Sequence, residues 1–310
     1  MKNVRKLASV LCAALLIAVM AAGCGSKAAD NQLELYDGNF SEMKVIHHMI
    51  KMVVEANTDL TVNIKDEMTS VNMFKELTAK EPSCDLMNSY DGTLLTTYLK
   101  LDPEDVPAGQ SIYDFSNEKA EAQYGVHLLD KLGFNDTYCI AVPESIAEKY
   151  NLTKVSDLAA AASELRFGAE HEFFTEEGSM KYGPFTKFYG LAFKEAIPVD
   201  LGLKYAAVEN GSFEVTEVYS TDGLNRKAKL KVLEDDKNFF PEYNDAILIR
   251  DDVLEKYKDV APNLEEVLNT LGGKFTNEIM TDLTYKVDVE GQTVDSAAKE
   301  FLTQQGLLSQ

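Results

Sequence analysis

The sequence predicts an α/β protein, and three observations carry that prediction. From Leu33 onward short apolar runs alternate with amphipathic helical patterns. Apolar residues make up 45% of the 310, enough to bury a real core. The length suits two domains at roughly 150 residues each.

In chain order the predicted strands are Leu33 to Tyr36, Leu60 to Ile64, Asp85 to Ser89, Tyr138 to Val142, Arg166 to Ala169, Phe213 to Tyr219, Lys231 to Leu233 and Ala246 to Ile249. Helices fill the intervals. The first is the most clearly written: Asn39 with Glu42 three residues on has the form of a capping box, and Val45, Ile46, Met49, Ile50, Val53 and Val54 share one face. Pro143 is placed to open another helix at its first turn, and Ser156-Asp157 to start the alanine-rich one that follows. Beyond Ile249 the pattern is helical, so the C-terminal region is expected to return across the N-terminal half.

The 51 acidic and 30 basic side chains give a net charge of −21, the wrong sign for gripping nucleic acid through its phosphates. At the N-terminus Lys2, Arg5 and Lys6 precede an uncharged apolar run from Leu7 to Ala22, the form of an export signal and short of the roughly 20 residues a membrane span needs. The run ends in Ala21-Ala22-Gly23-Cys24, which resembles the lipobox of bacterial lipoproteins, so Cys24 is expected to carry the lipid. Loss of residues 1–23 would take the net charge from −21 to −24. Residues 24–31 read as a flexible tether. Cys84 and Cys139 then remain, with no metal or thioredoxin spacing, on separate predicted strands. An exported compartment permits a disulfide between them, but free buried cysteine is the commoner outcome.

Catalytic signals are missing. His47 and His48 are neighbours on a helix and do not share a face, which favours packing over metal ligation. Glu170-His171-Glu172 lacks a second His or Cys group at metal spacing. The chain has no Gly-x-Ser-x-Gly, no Walker loop and no Gly-x-Gly-x-x-Gly. Neither a catalytic residue nor a metal nor a cofactor is expected.

Tyrosine is where the pattern becomes specific. Tyr90, Tyr138, Tyr219 and Tyr243 all fall at strand ends, where α/β sheets bind ligands. With no Trp in the chain, an aromatic recognition surface must use tyrosine or phenylalanine. Four such rings with no Lys or Arg expected beside them suit a cation that cannot donate hydrogen bonds, a quaternary ammonium, attracted to each π face by about 0.5 to 2 kcal/mol. Each ring taken alone also fits as strand filler.

Around these tyrosines the sequence resembles the substrate-binding lipoproteins of osmoprotectant ABC importers, which capture glycine betaine, choline or carnitine. The resemblance lies in Thr137-Tyr138 running into Ala141-Val142-Pro143, in Phe167-Gly168-Ala169-Glu170-His171-Glu172-Phe173-Phe174, and in Val199-Asp200-Leu201-Gly202-Leu203-Lys204-Tyr205. It continues through Tyr219-Ser220-Thr221-Asp222-Gly223, Leu233-Glu234-Asp235-Asp236-Lys237 with Phe239-Phe240-Pro241, and Val287-Asp288-Val289-Glu290-Gly291. It is stronger over residues 130–310 than over 31–100. What it implies is a type II periplasmic-binding-protein clamp of two lobes, each a mixed sheet flanked by helices, with residues 32–129 and 237–310 in one and 130–236 in the other. Tyr90 and Tyr243 from the first lobe and Tyr138 and Tyr219 from the second would form the cage on closure.

Departures from the family pattern bear on ligand choice. Phe-Thr-Glu-Gln becomes Phe40-Ser41-Glu42-Met43, and Met43 cannot donate to a carboxylate as the Gln does in relatives. Glu-Tyr-Thr-Gly-Thr becomes Ser89-Tyr90-Asp91-Gly92-Thr93, keeping Thr93 and adding Asp91, and Tyr-Tyr-Ala-Ala becomes Tyr243-Asn244-Asp245-Ala246, adding Asp245. Fewer donors and more acid favour a net cation such as choline over betaine or carnitine; the bland alternative makes both acids solvated turn residues. The expected partners are that ligand, an ABC permease with its ATPase, and the outer face of the bacterial cytoplasmic membrane through the lipid anchor, for a monomer with no nucleic acid. The alternatives are a binding protein for another small cation or amino acid, and an exported enzyme of unknown reaction.

Overall fold

The computed structural model describes residues 31–175 and 179–309. Cys24, the export segment and the tether before Asn31 lie outside the described residues. Ten strands form among the described residues: β1 (Gln32–Asp37), β2 (Thr61–Glu67), β3 (Leu86–Tyr90), β4 (Val126–Asn135), β5 (Tyr138–Pro143), β6 (Arg166–Glu170), β7 (Glu195–Val199), β8 (Val215–Tyr219), β9 (Leu230–Leu233) and β10 (Asn244–Arg250). β1 pairs with β2, and β10 lies between β3 and β4, antiparallel to both. The remaining five make a mixed sheet in the order β7-β6-β8-β5-β9.

Two large hydrophobic cores follow from these sheets. The first gathers residues of β1 to β4 and β10 with the helix Ser41–Asn57, whose apolar face from Met43 to Val54 is buried. The last two helices, Asn277–Asp288 and Val294–Gln304, pack on that helix through Met280, Leu283, Ala297 and Phe301, so the C-terminal region does cross back over the N-terminal half. The second core lies on β5, β6, β8 and β9. The chain passes from the first sheet to the second between Asn135 and Tyr138 and returns between Leu233 and Asn244. The protein is an α/β chain of two lobes.

Two strands escape the sequence pattern for identifiable reasons. In β4 the pairing with β10 shifts register twice, so the irregularities break the apolar and polar alternation across Leu128-Leu129. β7 is an edge strand, largely exposed, and Pro198 within it is tolerated because an edge leaves one row of donors unused. Local details differ too. Phe40, not Asn39, precedes the first helix, and its end has no side-chain cap, because Glu42 turns into the interior. Pro143 ends β5 and the helix begins one residue later, at Glu144–Tyr150. The alanine-rich segment forms tight 3-10 turns, Val155–Ala160 and Ala162–Glu164, where Asp157 Oδ2 accepts from the backbone N–H of Thr153 at 2.9 Å and of Lys154 at 3.0 Å.

Cys84 and Cys139 are free, and burial pushes both thiols up to about 12. His47 is fully buried and held neutral chiefly by desolvation, with its Nε2 accepting from the Asn88 backbone N–H at 3.4 Å. It packs in the core, as its position on the helix suggested.

Candidate functional site

The ladder between β5 and β8 pairs Tyr138 directly with Tyr219 and leaves their ring centroids 5.5 Å apart. Tyr243, just ahead of β10, comes from the other lobe and meets Tyr138 edge-on at 5.6 Å. Phe173 and Phe240 stand 5.7 and 5.8 Å from the same Tyr138 ring, and Phe40 stacks beside Tyr219 at 6.1 Å. Three of the four expected tyrosines are thus brought together. Tyr90 shares no ring contact with them among the described residues; its hydroxyl donates to Glu42 Oε1 at 2.6 Å. Burial pushes all four phenols up, so they are neutral near pH 7.

The position of Tyr243 is built by its neighbours. Asp91 Oδ1 accepts from the Asn244 backbone N–H at 2.8 Å and Oδ2 from Asn244 Nδ2 at 2.9 Å. A Cβ on Gly92 would lie 2.9 Å from the Tyr243 ring, so only glycine lets the ring close against this turn. Thr93 follows, half-buried.

Two aspartates read as possible solvated turn residues are neither solvated nor loose. Asp91 is 1% exposed and committed to the Asn244 backbone. Asp245 is fully buried opposite Tyr90 in the β3–β10 ladder; Asn88 Nδ2 donates to its Oδ2 at 3.1 Å, and its Oδ1 has no hydrogen-bond partner among the described residues. Met43 is fully buried in the first core, against Gly38. Its neighbour Glu42 faces the cleft, bonded to Tyr90 from its own lobe and to the Thr221 hydroxyl from the other.

Glu42, Asp136 and Asp245 form a buried acidic group in which, besides desolvation, Asp136 and Asp245 push Glu42 up, Asp136 and Asp91 push Asp245 up, and Asp222 pushes Asp136 up. Desolvation is the main cause in each case, and it lifts Glu42 and Asp245 well above the usual carboxylate range and Asp136 to about 6. Asp136 sits in the crossover after β4 and accepts the Thr221 backbone N–H at 3.1 Å. A cavity of about 410 Å³ opens beside these groups, lined among others by Phe40, Glu42, Asp136, Tyr205, Tyr219 and Thr221, and so by both lobes.

The expectation that no Lys or Arg lies near the tyrosines is overturned. Lys181 Nζ stands 5.6 Å from the Tyr138 ring centroid and Lys204 Nζ 4.9 Å from that of Tyr219. Both lysines are remote from the tyrosines in sequence and arrive through the packing around β6 and β8. Lys204 is fully buried and paired with Glu170 at 2.9 Å and Glu217 at 3.2 Å. Glu170 therefore turns inward while His171 is exposed, with its Nε2 3.7 Å from Asp200. Among the described residues no group of three or more His, Cys, Asp or Glu could hold a metal ion, and no helix is long and apolar enough to cross a membrane. Sequence reasoning missed Glu42, Phe40, Phe173, Phe240, Lys181, Lys204 and Glu170 as site residues. Most of them lie inside the motifs that carried the family resemblance, and that was the available signal.

Two lobes whose aromatic side chains meet across a cleft have the build of a solute-binding protein. Residues 32–304 match the family described as the substrate binding domain of ABC-type glycine betaine transport systems, and the chain belongs to that family. It is a transport component and not an enzyme. The chain is 31% identical over 262 residues to the carnitine transport binding protein OpuCC of Listeria monocytogenes, covering 84% of this chain and 83% of that one. It is 33% identical over 235 residues to a glycine-betaine-binding protein of Pseudomonas aeruginosa, covering 72% and 73%. A solved glycine betaine/carnitine/choline ABC transporter structure superposes with a TM-score of 0.73 at 28% identity, over 89% of this chain and 99% of that one.

Proposed function

We propose that the protein captures a quaternary ammonium compound outside the cell, holds it in a cage of Tyr138, Tyr219 and Tyr243 completed by Tyr90, and delivers it to an ABC permease, with choline preferred to glycine betaine. The observation that carries this reading is the meeting of Tyr138 with Tyr219 and, across the lobes, with Tyr243. Rings from both lobes surround a cation only when the lobes close, which links capture to a shape a permease can recognise. The names of the relatives, which bind carnitine and glycine betaine, support the same ligand class.

The choline preference rests on Glu42, Asp136 and Asp245. Each gains from ionising if a fixed cation arrives nearby, and a zwitterion brings its own negative charge to the same acids. Thr93 remains a donor for a carboxylate, with Asp91 and Met43 contributing through packing around the cage. The lobe limits we propose are 32–129 with 237–310, and 130–236, a division supported by the chain passing twice between the two sheets. Lipidation at Cys24 would hold the monomer at the outer face of the membrane, and a Cys24→Ala variant should accumulate unprocessed. Isothermal titration with choline, glycine betaine and carnitine tests the ligand class. Heat on binding choline, with the affinity weakened by about 1 to 2 kcal/mol in Tyr138→Ala, is the expected result, and no binding of any of the three would refute it.

A further inference from the structure

Behind the cage, the second lobe buries a lysine and two glutamates where apolar side chains would pack as stably. Lys204 is fully buried, as is Glu217, and Glu170 is 4% exposed. Replacing such a group by well-fitted hydrophobic residues is often neutral or stabilising, so stability alone does not account for it. Its geometry leads to Tyr219. Glu217 and Tyr219 lie two apart on β8 and so project from the same face of the sheet, and β6, the parallel neighbour, ends at Glu170. The Tyr219 hydroxyl donates to Glu170 Oε1 at 3.0 Å, and the other oxygen, Oε2, accepts from Lys204 Nζ at 2.9 Å. Lys204 also donates to Glu217 Oε2 at 3.2 Å. An ammonium has three N–H groups, so one remains for the Tyr219 ring, whose centroid is 4.9 Å away.

We propose that Lys204, Glu170 and Glu217 form a positioning network that fixes the Tyr219 phenol by its hydroxyl and polarises its ring toward a bound cation. It rests on the reading of Tyr219 as a cage wall. A phenol donating to a carboxylate gains electron density on its ring, and an electron-rich ring attracts a cation more strongly. That effect requires an ionised Glu170. The Lys204 ammonium holds the Glu170 carboxyl below its ordinary range, while burial raises Glu217 well above its own. Lys204 and Glu170 thus make the ion pair, with Glu217 the carboxyl more disposed to keep its proton, and the network acts on a ligand through Tyr219.

The test is a double-mutant cycle on the full chain, with choline as the probe and Glu170→Gln as the near-isosteric change. Glu170→Gln is expected to lower choline affinity about five-fold in the parent and less than two-fold in a Tyr219→Phe background, where no hydroxyl remains to be held. Equal losses in the two backgrounds would overturn the proposal. A second readout needs no ligand. The Cζ signal of Tyr219 in protein labelled with 13C-tyrosine, assigned by its loss in Tyr219→Phe, should shift in Glu170→Gln, and an unmoved signal would refute the hydroxyl bond even with the cage intact. If Tyr219→Ala binds choline like the parent while the Cζ signal does shift, the cage reading fails and the positioning of Tyr219 stands.

Discussion

The two lobes bring different chemistry to the same cleft. Tyr90 and Tyr243 of the first lobe are 9% and 4% exposed, and Glu42 and Asp245 lie buried beside Tyr90 with their carboxyls raised by desolvation. Tyr138 and Tyr219 of the second lobe are more open, and each has a lysine of its own lobe over its ring. The first half is a store of suppressed negative charge, the second an aromatic surface already carrying ammonium groups. On the proposed reading, a ligand cation would be drawn toward the first lobe by acids that can ionise, and on the second it would meet rings flanked by lysines. The second lobe's buried acids, Glu170 and Glu217, are instead paired with Lys204, so the halves differ in whether buried acid has a cation beside it, a contrast the composition does not show.

The largest effect that would break this contrast is on the second lobe. Lys204→Met leaves Glu170 buried without its cation, and unpaired buried charge costs about 3 to 5 kcal/mol, read as a lower urea midpoint. An unchanged midpoint would mean that Glu170 is not held ionised by Lys204. Next comes the aromatic surface. Tyr138→Ala or Tyr219→Ala should weaken choline binding by about 1 to 2 kcal/mol, with phenylalanine better tolerated at either position. Unaltered affinity in both alanine variants, with circular dichroism showing them folded, would remove the second lobe from the site.

The acids of the first lobe and the crossover sharpen the comparison through pH. Asp136 is raised to about 6 in the fold from an ordinary 3.8, so it binds its proton more tightly when folded. Its contribution to stability is full below the ordinary value and is lost as the pH rises through about 6. His47, lowered by burial, works in the opposite direction as the pH falls below its ordinary 6.5. Asp136→Asn should therefore remove stability at pH 5 relative to pH 7 compared with the parent, measured by urea unfolding at both values; a parallel pair of profiles would show Asp136 ionised throughout. The smallest effect concerns Lys181. Removing this ammonium by Lys181→Met should move the choline to betaine affinity ratio toward choline, by about two- to three-fold at a partly screened site. A shift toward betaine would place Lys181 away from the ligand carboxylate.

The sequence carried the outline of the fold further than the wiring of the site. Strands with regular alternation or strong apolar runs, such as β5 and β8, were legible, and the strand-end position of Tyr138 and Tyr219 followed from them. β4 was hidden by its register shifts and β7 by Pro198, features that depend on the partner strand or its absence. In sequence Asp91 fits a solvated turn residue or a ligand neighbour, because its partner, the Asn244 backbone, is 153 residues away. The same distance problem concealed Lys204, whose partners Glu170 and Glu217 lie 34 and 13 residues off, and left Glu42 in a capping box when it bridges instead to Thr221, 179 residues on. Local periodicity reports which face is buried; it is silent on which polar groups meet there.

The direct pairing of Tyr138 with Tyr219 at one rung of the β5–β8 ladder has a consequence for how this chain can change. Side chains alternate across a strand, so a single residue inserted or deleted between Tyr138 and Ala141, or between Thr216 and Tyr219, would send one ring through the sheet to the opposite side. Loop lengths elsewhere are free to drift without touching that alignment. The spacing of the two rings is thus gauged by backbone hydrogen bonds, and sequence variation can retune what surrounds the pair far more readily than it can separate the pair itself.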